Sequence, residues 1–320
     1  MKILLTGSAG FIGFHTATRL LERGDTVIGF DNFNEYYDPE LKKRRNEMLE
    51  KYDNFSVIRG DISKTQDLIP AFDLLGSGKD TRVCNLAAQA GVRHSIENPQ
   101  IFLNDNIMGF GNVIELCKQR EVGGLIYASS SSVYGNNKEK PSKEMHNTDN
   151  QVSLYGMTKK ANELQASVYS NLFGTHTTGL RFFTVYGPWG RPDMALFLFT
   201  NWAVNGEPMQ IFGEGKMQRD FTYVDDIVSG IVASIDKNYP CEVFNLGAGH
   251  TEELMDYIAA VEKALGIEAK KNMLPMQQGD VVSSSADITK AKEMLGYEPK
   301  TRIADGIPQF VAWYKEYYGI

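Results

Sequence analysis

The sequence predicts an α/β protein: a doubly wound parallel sheet with a smaller, mixed α/β C-terminal domain. Three observations carry that expectation. Short apolar runs alternate with amphipathic segments from Ile3 to Tyr127. A glycine-rich turn, Gly7-x-x-Gly10-x-x-Gly13, joins the first run to the first amphipathic segment. The pattern loosens beyond Val185, where Gly187, Pro188, Gly190 and Pro192 crowd one stretch. Strands alternating with helices imply parallel pairing, because parallel neighbours need a crossover between them.

Each element has its own justification. Ile3–Leu5, Val27–Phe30, Phe55–Ile58, Val83–Leu86 and Leu125–Tyr127 read as buried strands. Phe11–Arg23 reads as a helix, with Ile12, Ala17, Leu20 and Leu21 near one face and Gly24 as its stop. Leu41–Lys51 is more charged and is expected as a solvent-facing helix. Tyr155–Phe173 reads as a long helix, Thr177–Phe183 as a strand, and Tyr186–Arg191 as a loop. Val224–Ile235 reads as a helix and Val243–Leu246 as a buried strand. Thr251 is expected to cap a helix running to Leu265, with Glu252 and Glu253 in its first turn. Asp287 is expected to cap another that ends at Gly296.

Composition narrows the function. The chain has 320 residues, 42% hydrophobic and 23% charged, which excludes disorder, collagen-like fibres and small disulfide scaffolds. A net charge of −7 gives no broad basic surface, so no nucleic-acid partner is expected. Cys84, Cys117 and Cys241 lie far apart and odd in number, which argues against a secreted disulfide framework and against a metal site. No apolar run approaches the roughly 18 residues of a membrane span. The opening apolar stretch is too short for a signal peptide. No membrane association and a cytoplasmic location are expected.

Gly7, Gly10 and Gly13 sit between a strand and a helix, where glycine permits a tight turn and lets backbone approach a pyrophosphate. The free amides at the helix N-terminus, Phe11 and Ile12 among them, then face the phosphates. Asp31 ends the second strand, followed by Asn32, and a carboxylate there can accept both ribose hydroxyls of an adenosine. It would repel a 2′-phosphate, so NAD is favoured over NADP. Asp61 and Ile62, after the third strand, are expected near the adenine. Leu86, Ala87, Ala88 and Gln89, after the fourth, leave room for a nicotinamide ribose.

Tyr155 and Lys159 are four residues apart and share a helix face. An ammonium nearby is expected to lower the tyrosine's pKa from its usual value near 10. A hydroxyl from the serine run Ser129–Ser132 would complete a proton-transfer device. Tyr-x-x-x-Lys alone is common on helix surfaces; its position after a glycine turn and a serine-rich strand end gives it weight.

These motifs resemble the extended short-chain dehydrogenase/reductase family, whose members perform NAD-dependent chemistry on nucleotide sugars. The resemblance spans essentially the whole chain. It implies a Rossmann-type fold and tightly bound NAD regenerated each cycle. It also implies catalytic roles for Tyr155, Lys159 and, by its position four residues before Tyr134, Ser130, with Ser129 the less favoured alternative. The implied division is an NAD-binding domain over residues 1–185, joined by about 224–250, and a nucleotide-sugar-binding domain over 186–223 and 251–320. A homodimer, formed through about Ile101–Gln119 and Tyr155–Phe173, is carried over with it.

Dehydratases of this family carry an Asp-Glu pair after the catalytic hydroxyl, and decarboxylases a Glu two residues on. Here Ser131 and Ser132 stand there, so a 4-epimerase is expected. The run Arg181–Met194 resembles the UDP-glucuronate 4-epimerase subfamily, and Ala195–Thr200 and Lys216–Phe221 extend the likeness. The substrate residues implied are Arg93, Ser130, Ser131, Ser132, Thr184, Val185, Arg191, Met194 and Arg219. Arg219 is the diphosphate contact. Arg191 is expected to grip the uronate carboxylate bidentately, whereas His94 is expected as a hydrogen-bonded loop residue. Gln277-Gln278-Gly279-Asp280 replaces an arginine-bearing element of the galactose enzymes. The rival readings are a UDP-glucose/UDP-galactose epimerase, a UDP-glucuronate decarboxylase-type enzyme, and a non-catalytic NAD-binding protein on the same fold.

Overall fold

A computed structural model describes residues 1–276 and 283–320. The strands of the sheet form where the sequence is continuously apolar: β1 (Lys2–Thr6), β2 (Thr26–Asp31), β3 (Phe55–Arg59), β4 (Thr81–Asn85), β5 (Leu125–Ser130) and β6 (Thr177–Phe182). Cys241–Leu246 completes a seven-stranded sheet as its edge beside β6, in the order Cys241–Leu246, β6, β5, β4, β1, β2, β3. Every pairing within it is parallel. Side chains alternate across it: Ile3 and Leu5 pack into one core layer with Phe14, Ala17 and Leu20, while Leu4 packs into the other with Phe72, Val113 and Leu116.

The helices are α1 (Phe11–Glu22), α2 (Pro39–Leu49), α3 (Thr65–Leu75), α4 (Val92–Glu97) and α5 (Pro99–Phe102), then a π-helical stretch at Leu103–Met108. There follow α6 (Gly109–Gln119), α7 (Leu154–Phe173), α8 (Ala195–Val204), α9 (Val224–Lys237), α10 (Leu254–Leu265), α11 (Thr289–Leu295) and α12 (Ile303–Tyr318). Ser153 caps α7 by accepting the Gly156 amide at 3.0 Å, and Gly174 ends it in the left-handed region. Among the described residues, no helix is long and apolar enough to cross a membrane.

Beyond β6 the chain builds small pairs of strands. Thr184–Tyr186 pairs with Phe221–Tyr223, Met209–Phe212 with Lys271–Leu274, and Gln218–Arg219 with Glu252–Glu253. Thr184, Val185, Gln210, Phe212, Arg219 and Phe221 of these pairs line the cavity described below.

Three local expectations need correction. Thr251 does not cap α10: Glu252 and Glu253 are in a strand, and the Leu254 amide donates to Met217 O at 2.9 Å. The strand partner takes the donor that a hydroxyl would have met. The helix α2 does not simply face solvent, because Leu41, Lys42, Arg45, Asn46 and Leu49 are buried. The Arg45 Nη groups donate there to Ala9 O at 2.9 Å, Tyr37 Oη at 2.9 Å and Trp189 O at 2.6 Å. Tyr186 ends a short strand rather than opening a loop. Asp287 stands one residue ahead of the N-cap position, Ile288, and its side chain accepts the Thr289 amide at 2.9 Å, at the start of the helix that ends before Gly296.

Candidate active site

A cavity of about 850 Å³ runs across the ends of the sheet strands, and every site residue expected from the sequence lines it. One end is the glycine turn. Gly7 adopts φ +72°, and a Cβ there would lie 2.8 Å from Ala87 N. A Cβ on Gly13 would meet Gly7 O at 1.9 Å. These contacts fix the turn and bring α1 against β1, with Gly10 at the helix start and no side chain capping it. The amides of the first turn of α1 therefore open onto the cavity at Phe11 and Ile12.

Asp31 is buried at the end of β2. Its Oδ2 accepts the Ala9 amide at 3.1 Å and its Oδ1 the Phe33 amide at 2.8 Å. Burial raises its pKa, against the opposing charge of Lys42 and those amides. Asn32 and Asn34 continue along the same wall. Asp61 lies two residues beyond β3 and accepts from the Ser63 amide (2.9 Å) and hydroxyl (2.8 Å). Ile62 lies beside it and packs over Gly109. Asp105, on the π-helical stretch, faces the same end; burial and then the charge of Asp61 push its carboxyl up to about 6.

Leu86, Ala87 and Ala88 present backbone to the cavity past β4. The Ala87 amide donates to Thr6 Oγ1 at 3.2 Å, which itself donates to Asn85 Oδ1 at 2.7 Å. Gln89 is pinned through its backbone by Asn106, which accepts its N–H at 2.8 Å and donates to its carbonyl at 3.0 Å. Its own Nε2 is buried without a hydrogen-bond partner among the described residues. A side-chain-free cradle, a helix N-terminus, a fixed carboxylate and an unmatched amide donor suit a dinucleotide with a carboxamide-bearing ring.

Tyr155 and Lys159 stand one turn apart on α7. Lys159 is buried, donates to Ala128 O at 3.0 Å, and burial lowers its pKa to about 8. Burial raises the Tyr155 pKa, while a hydrogen bond with Ser130 and the charge of Arg191 oppose that rise. This overturns the expected lowering by Lys159: the net shift is upward, and the Lys159 ammonium is turned to the strand carbonyl, 6.0 Å from the Tyr155 ring centroid. Ser130 Oγ also accepts the Ser132 amide at 3.1 Å. Ser129 points away and donates to the buried Glu163 at 2.6 Å, so of the two serines only Ser130 meets Tyr155.

At the far end, Thr184 opens a short strand whose amide donates to Asp220 O at 3.1 Å, with Val185 behind it. Ser131 and Ser132 begin a short 3-10 turn after β5. Met194 precedes α8 and returns its amide to Arg191 O at 3.1 Å. Arg191 holds Asp193 through Nε at 3.0 Å and through a second, shorter contact from Nη2. The Arg93 guanidinium lies 5.1 Å from the Phe212 ring centroid, and Arg219 donates to Gln218 O at 3.0 Å. His94 is on α4, not in a loop; its Nδ1 lies 3.2 Å from Asn98 Nδ2 and its ring against Tyr36. The element Gln277-Gln278-Gly279-Asp280 lies outside the described residues.

Sequence reasoning did not single out Tyr36, Lys42, Asp105 or Asp193 as site residues. Nothing in local pattern marks them; Tyr36 meets Asp193 across 157 residues of chain.

This cavity joins a cradle suited to a dinucleotide with a tyrosine, a lysine and a serine, the arrangement of a short-chain dehydrogenase/reductase. A model of the NAD dependent epimerase/dehydratase family matches residues 3–247, and the chain belongs to that family. It is 45% identical to UDP-glucuronate 4-epimerase 4 of Arabidopsis thaliana, over 99% of this chain and 76% of that one. The UDP-glucuronic acid 4-epimerase of Bacillus cereus, solved with UDP-glucuronic acid and NAD, superposes with a TM-score of 0.92. It is 36% identical, with 99% of this chain and 100% of that chain covered. The UDP-glucose 4-epimerase of Thermotoga maritima, solved with UDP-glucose, has a TM-score of 0.89 at 31% identity, covering 99% and 100%.

Proposed function

We propose that the chain is an NAD-dependent 4-epimerase that interconverts UDP-glucuronic acid and UDP-galacturonic acid. The observation that carries the sugar class is the place of Arg191. Its guanidinium lines the cavity near enough to Tyr155 for its charge to be felt at the phenol. The reacting hydroxyl is on C4 and the uronate carboxylate hangs from C5, the next carbon. A proton acceptor for one therefore wants a cation for the other close by. The relatives named above support the same reading.

Tyr155 takes the proton of the 4-hydroxyl, and Ser130 bridges the reacting oxygen. Lys159, protonated below about pH 8, sets a positive charge one turn along the helix. NAD, when bound along the glycine turn, Asp31 and the backbone of 86–89, supplies a reversible hydride acceptor for C4. The 4-keto sugar then turns about its bond to the diphosphate, held by Arg93 and Arg219, so that C4 offers its other face to the position from which bound NAD would return the hydride, and Tyr155 gives the proton back to the C4 oxygen. The keto intermediate is a β-keto acid, which loses carbon dioxide when its carboxylate bond aligns with the carbonyl π system. Arg191, Thr184, Ser131 and Ser132 hold that carboxylate out of alignment. Neither serine offers an acid for elimination.

The division of labour follows the chain. Residues 1–185 with 224–250 carry the cofactor wall, and 186–223 with 251–320 the nucleotide-sugar wall. Leu164, Val168 and Leu172 lie exposed along one face of α7, and a second copy of the chain would cover them as a homodimer. Buried Cys84 and Cys117 and exposed Cys241 are all unpaired, which suits a reducing, cytoplasmic compartment.

Incubating the purified protein with UDP-glucuronic acid, without added NAD, tests the reading. UDP-galacturonic acid is expected, and Tyr155→Phe should lose the conversion while retaining NAD. A pentose product with carbon dioxide would make the protein a decarboxylase. Conversion of UDP-galactose alone would make it a neutral-sugar epimerase.

A further inference from the structure

Arg191 already has a carboxylate. Asp193 takes its Nε at 3.0 Å with Oδ1 and its Nη2 with Oδ2. Tyr36, from the loop after β2, donates its hydroxyl to that same Oδ2 at 3.1 Å. The Tyr36 ring lies 5.9 Å from the guanidinium carbon and 4.7 Å from the His94 ring. Arg191, Asp193 and Tyr36 all line the cavity, Asp193 with a third of its side chain exposed. A uronate entering the site thus meets a guanidinium whose Nε–Nη2 edge is occupied by a carboxylate of the protein itself.

The reaction makes that arrangement useful. Turning the keto sugar carries the C5 carboxylate from one side of the site to the other. A guanidinium that holds the carboxylate before and after the turn must release it between. Parting such a pair leaves two charges without partners in a site where both are partly withdrawn from water, and that is the costly event. An internal carboxylate within bonding reach of Arg191 changes the event from separation to exchange. Tyr36 gives Asp193 a hydrogen bond that does not depend on Arg191, so Asp193 keeps a partner when Arg191 turns to substrate.

We propose that Asp193 is an exchange counter-ion: it holds Arg191 whenever the substrate carboxylate does not, and so lets the keto sugar turn. This rests on the uronate reading given above. Asp193 is then a positioning residue, acting on substrate through Arg191. It makes opposite demands on binding and turnover. Its charge competes with the substrate carboxylate and weakens binding, yet its presence speeds the turn.

The experiment compares wild type, Asp193→Asn and Asp193→Glu on UDP-glucuronic acid. It reads KM, kcat, the near-ultraviolet absorbance of reduced nicotinamide at steady state, and decarboxylated keto-pentose. With Asp193→Asn, KM should fall about threefold to fivefold, the scale of a partly exposed ion pair. In the same variant kcat should fall about tenfold or more, a split that marks tighter ground-state binding with a slower later step. Reduced nicotinamide and keto-pentose should both accumulate, because the keto sugar waits longer before it turns. Asp193→Glu, which restores the carboxylate, should recover most of kcat. A raised KM with unchanged kcat and no accumulation would overturn the proposal, leaving Asp193 as a mere orienter of Arg191. Loss of activity in both variants together with a lowered melting temperature would overturn it in favour of a scaffold role. A wild-type protein that leaves UDP-glucuronic acid unconverted would overturn the uronate reading itself, and that arm is scored before any variant.

Discussion

Glu163 and Arg181 meet as a bidentate pair behind the end of β5, Nε to Oε1 at 2.8 Å and Nη2 to Oε2 at 2.9 Å. The pair decides which serine serves the cavity. Glu163 also accepts the Ser129 hydroxyl at 2.6 Å, which turns that side chain inward. Alternation along the strand then sends Ser130 the other way, to Tyr155. Arg181 extends the network to Tyr134 Oη at 3.0 Å and Glu144 O at 3.1 Å. Tyr155, Lys159 and Glu163 follow at four-residue steps on α7, so one helix face carries the cavity's tyrosine and lysine at one end and the anchor of the serine strand end at the other.

Removing one partner of this buried pair leaves the other charge uncompensated. Glu163→Gln should therefore destabilise the fold by about 3–5 kcal/mol. Replacing both, Glu163→Gln with Arg181→Met, should recover much of the loss. Denaturant midpoints check this; equal midpoints for wild type and Glu163→Gln would show that the pair contributes nothing.

Lys159 works against stability. Burial lowers its pKa from 10.5 to about 8, so the folded chain binds this proton less tightly than the unfolded chain. The penalty is fully present below about pH 8 and is lifted as pH climbs from there toward 10.5, where both states are neutral. Lys159→Met should raise the melting temperature at neutral pH. The gain is at most about 3 kcal/mol, less the hydrogen bond to Ala128 O, and turnover should collapse. A variant less stable than wild type at neutral pH would refute the burial argument. The wild-type protein should in turn gain stability between pH 8 and 10 from this group.

On the uronate reading, Arg191→Ala removes the cation proposed to hold the substrate carboxylate. A charge-assisted hydrogen bond is worth about 1.5–3 kcal/mol, so kcat/KM for UDP-glucuronic acid should fall roughly 10-fold to 100-fold. The keto-pentose should rise as a fraction of product, because the carboxylate is freer to align with the carbonyl. UDP-galactose, which has no carboxylate, should be handled no worse than by wild type. Chromatography of the sugar products decides it: an unchanged uronate rate with no keto-pentose would remove Arg191 from the site.

What could be read in the sequence follows the range of the forces involved. Strands such as Ile3–Leu5 and Val27–Phe30 are legible because a parallel strand buried on both faces is apolar throughout. The glycine turn is legible because backbone contact with Ala87 excludes any side chain at Gly7. Pro70 and Pro308 each sit inside a helix, α3 and α12, where loss of a backbone donor argues locally against helix and tertiary packing overrides it. Arg45 looks like a solvent charge on α2 until the carbonyls of Ala9 and Trp189 arrive from elsewhere in the chain. The Tyr36–Asp193 contact and the choice between Ser129 and Ser130 depend on the same kind of distant meeting.

The exposed face of α7 supplies a last prediction. Leu164 (57% exposed), Val168 (50%) and Leu172 (69%) recur at four-residue steps, and Phe173, next in the chain, is exposed as well. Residues at that spacing form one continuous apolar stripe, and a stripe of this kind on a helix is normally covered. If a second copy covers it, Val168→Asp would place a charge in the middle of a helix–helix contact, where desolvating an unpaired carboxylate is prohibitive. The variant should sediment as a monomer at concentrations where wild type sediments as a dimer. Its cavity residues would be untouched, so any fall in activity should track dissociation and return as protein concentration rises. Wild type sedimenting as a monomer throughout would refute the dimer and leave the stripe without an occupant.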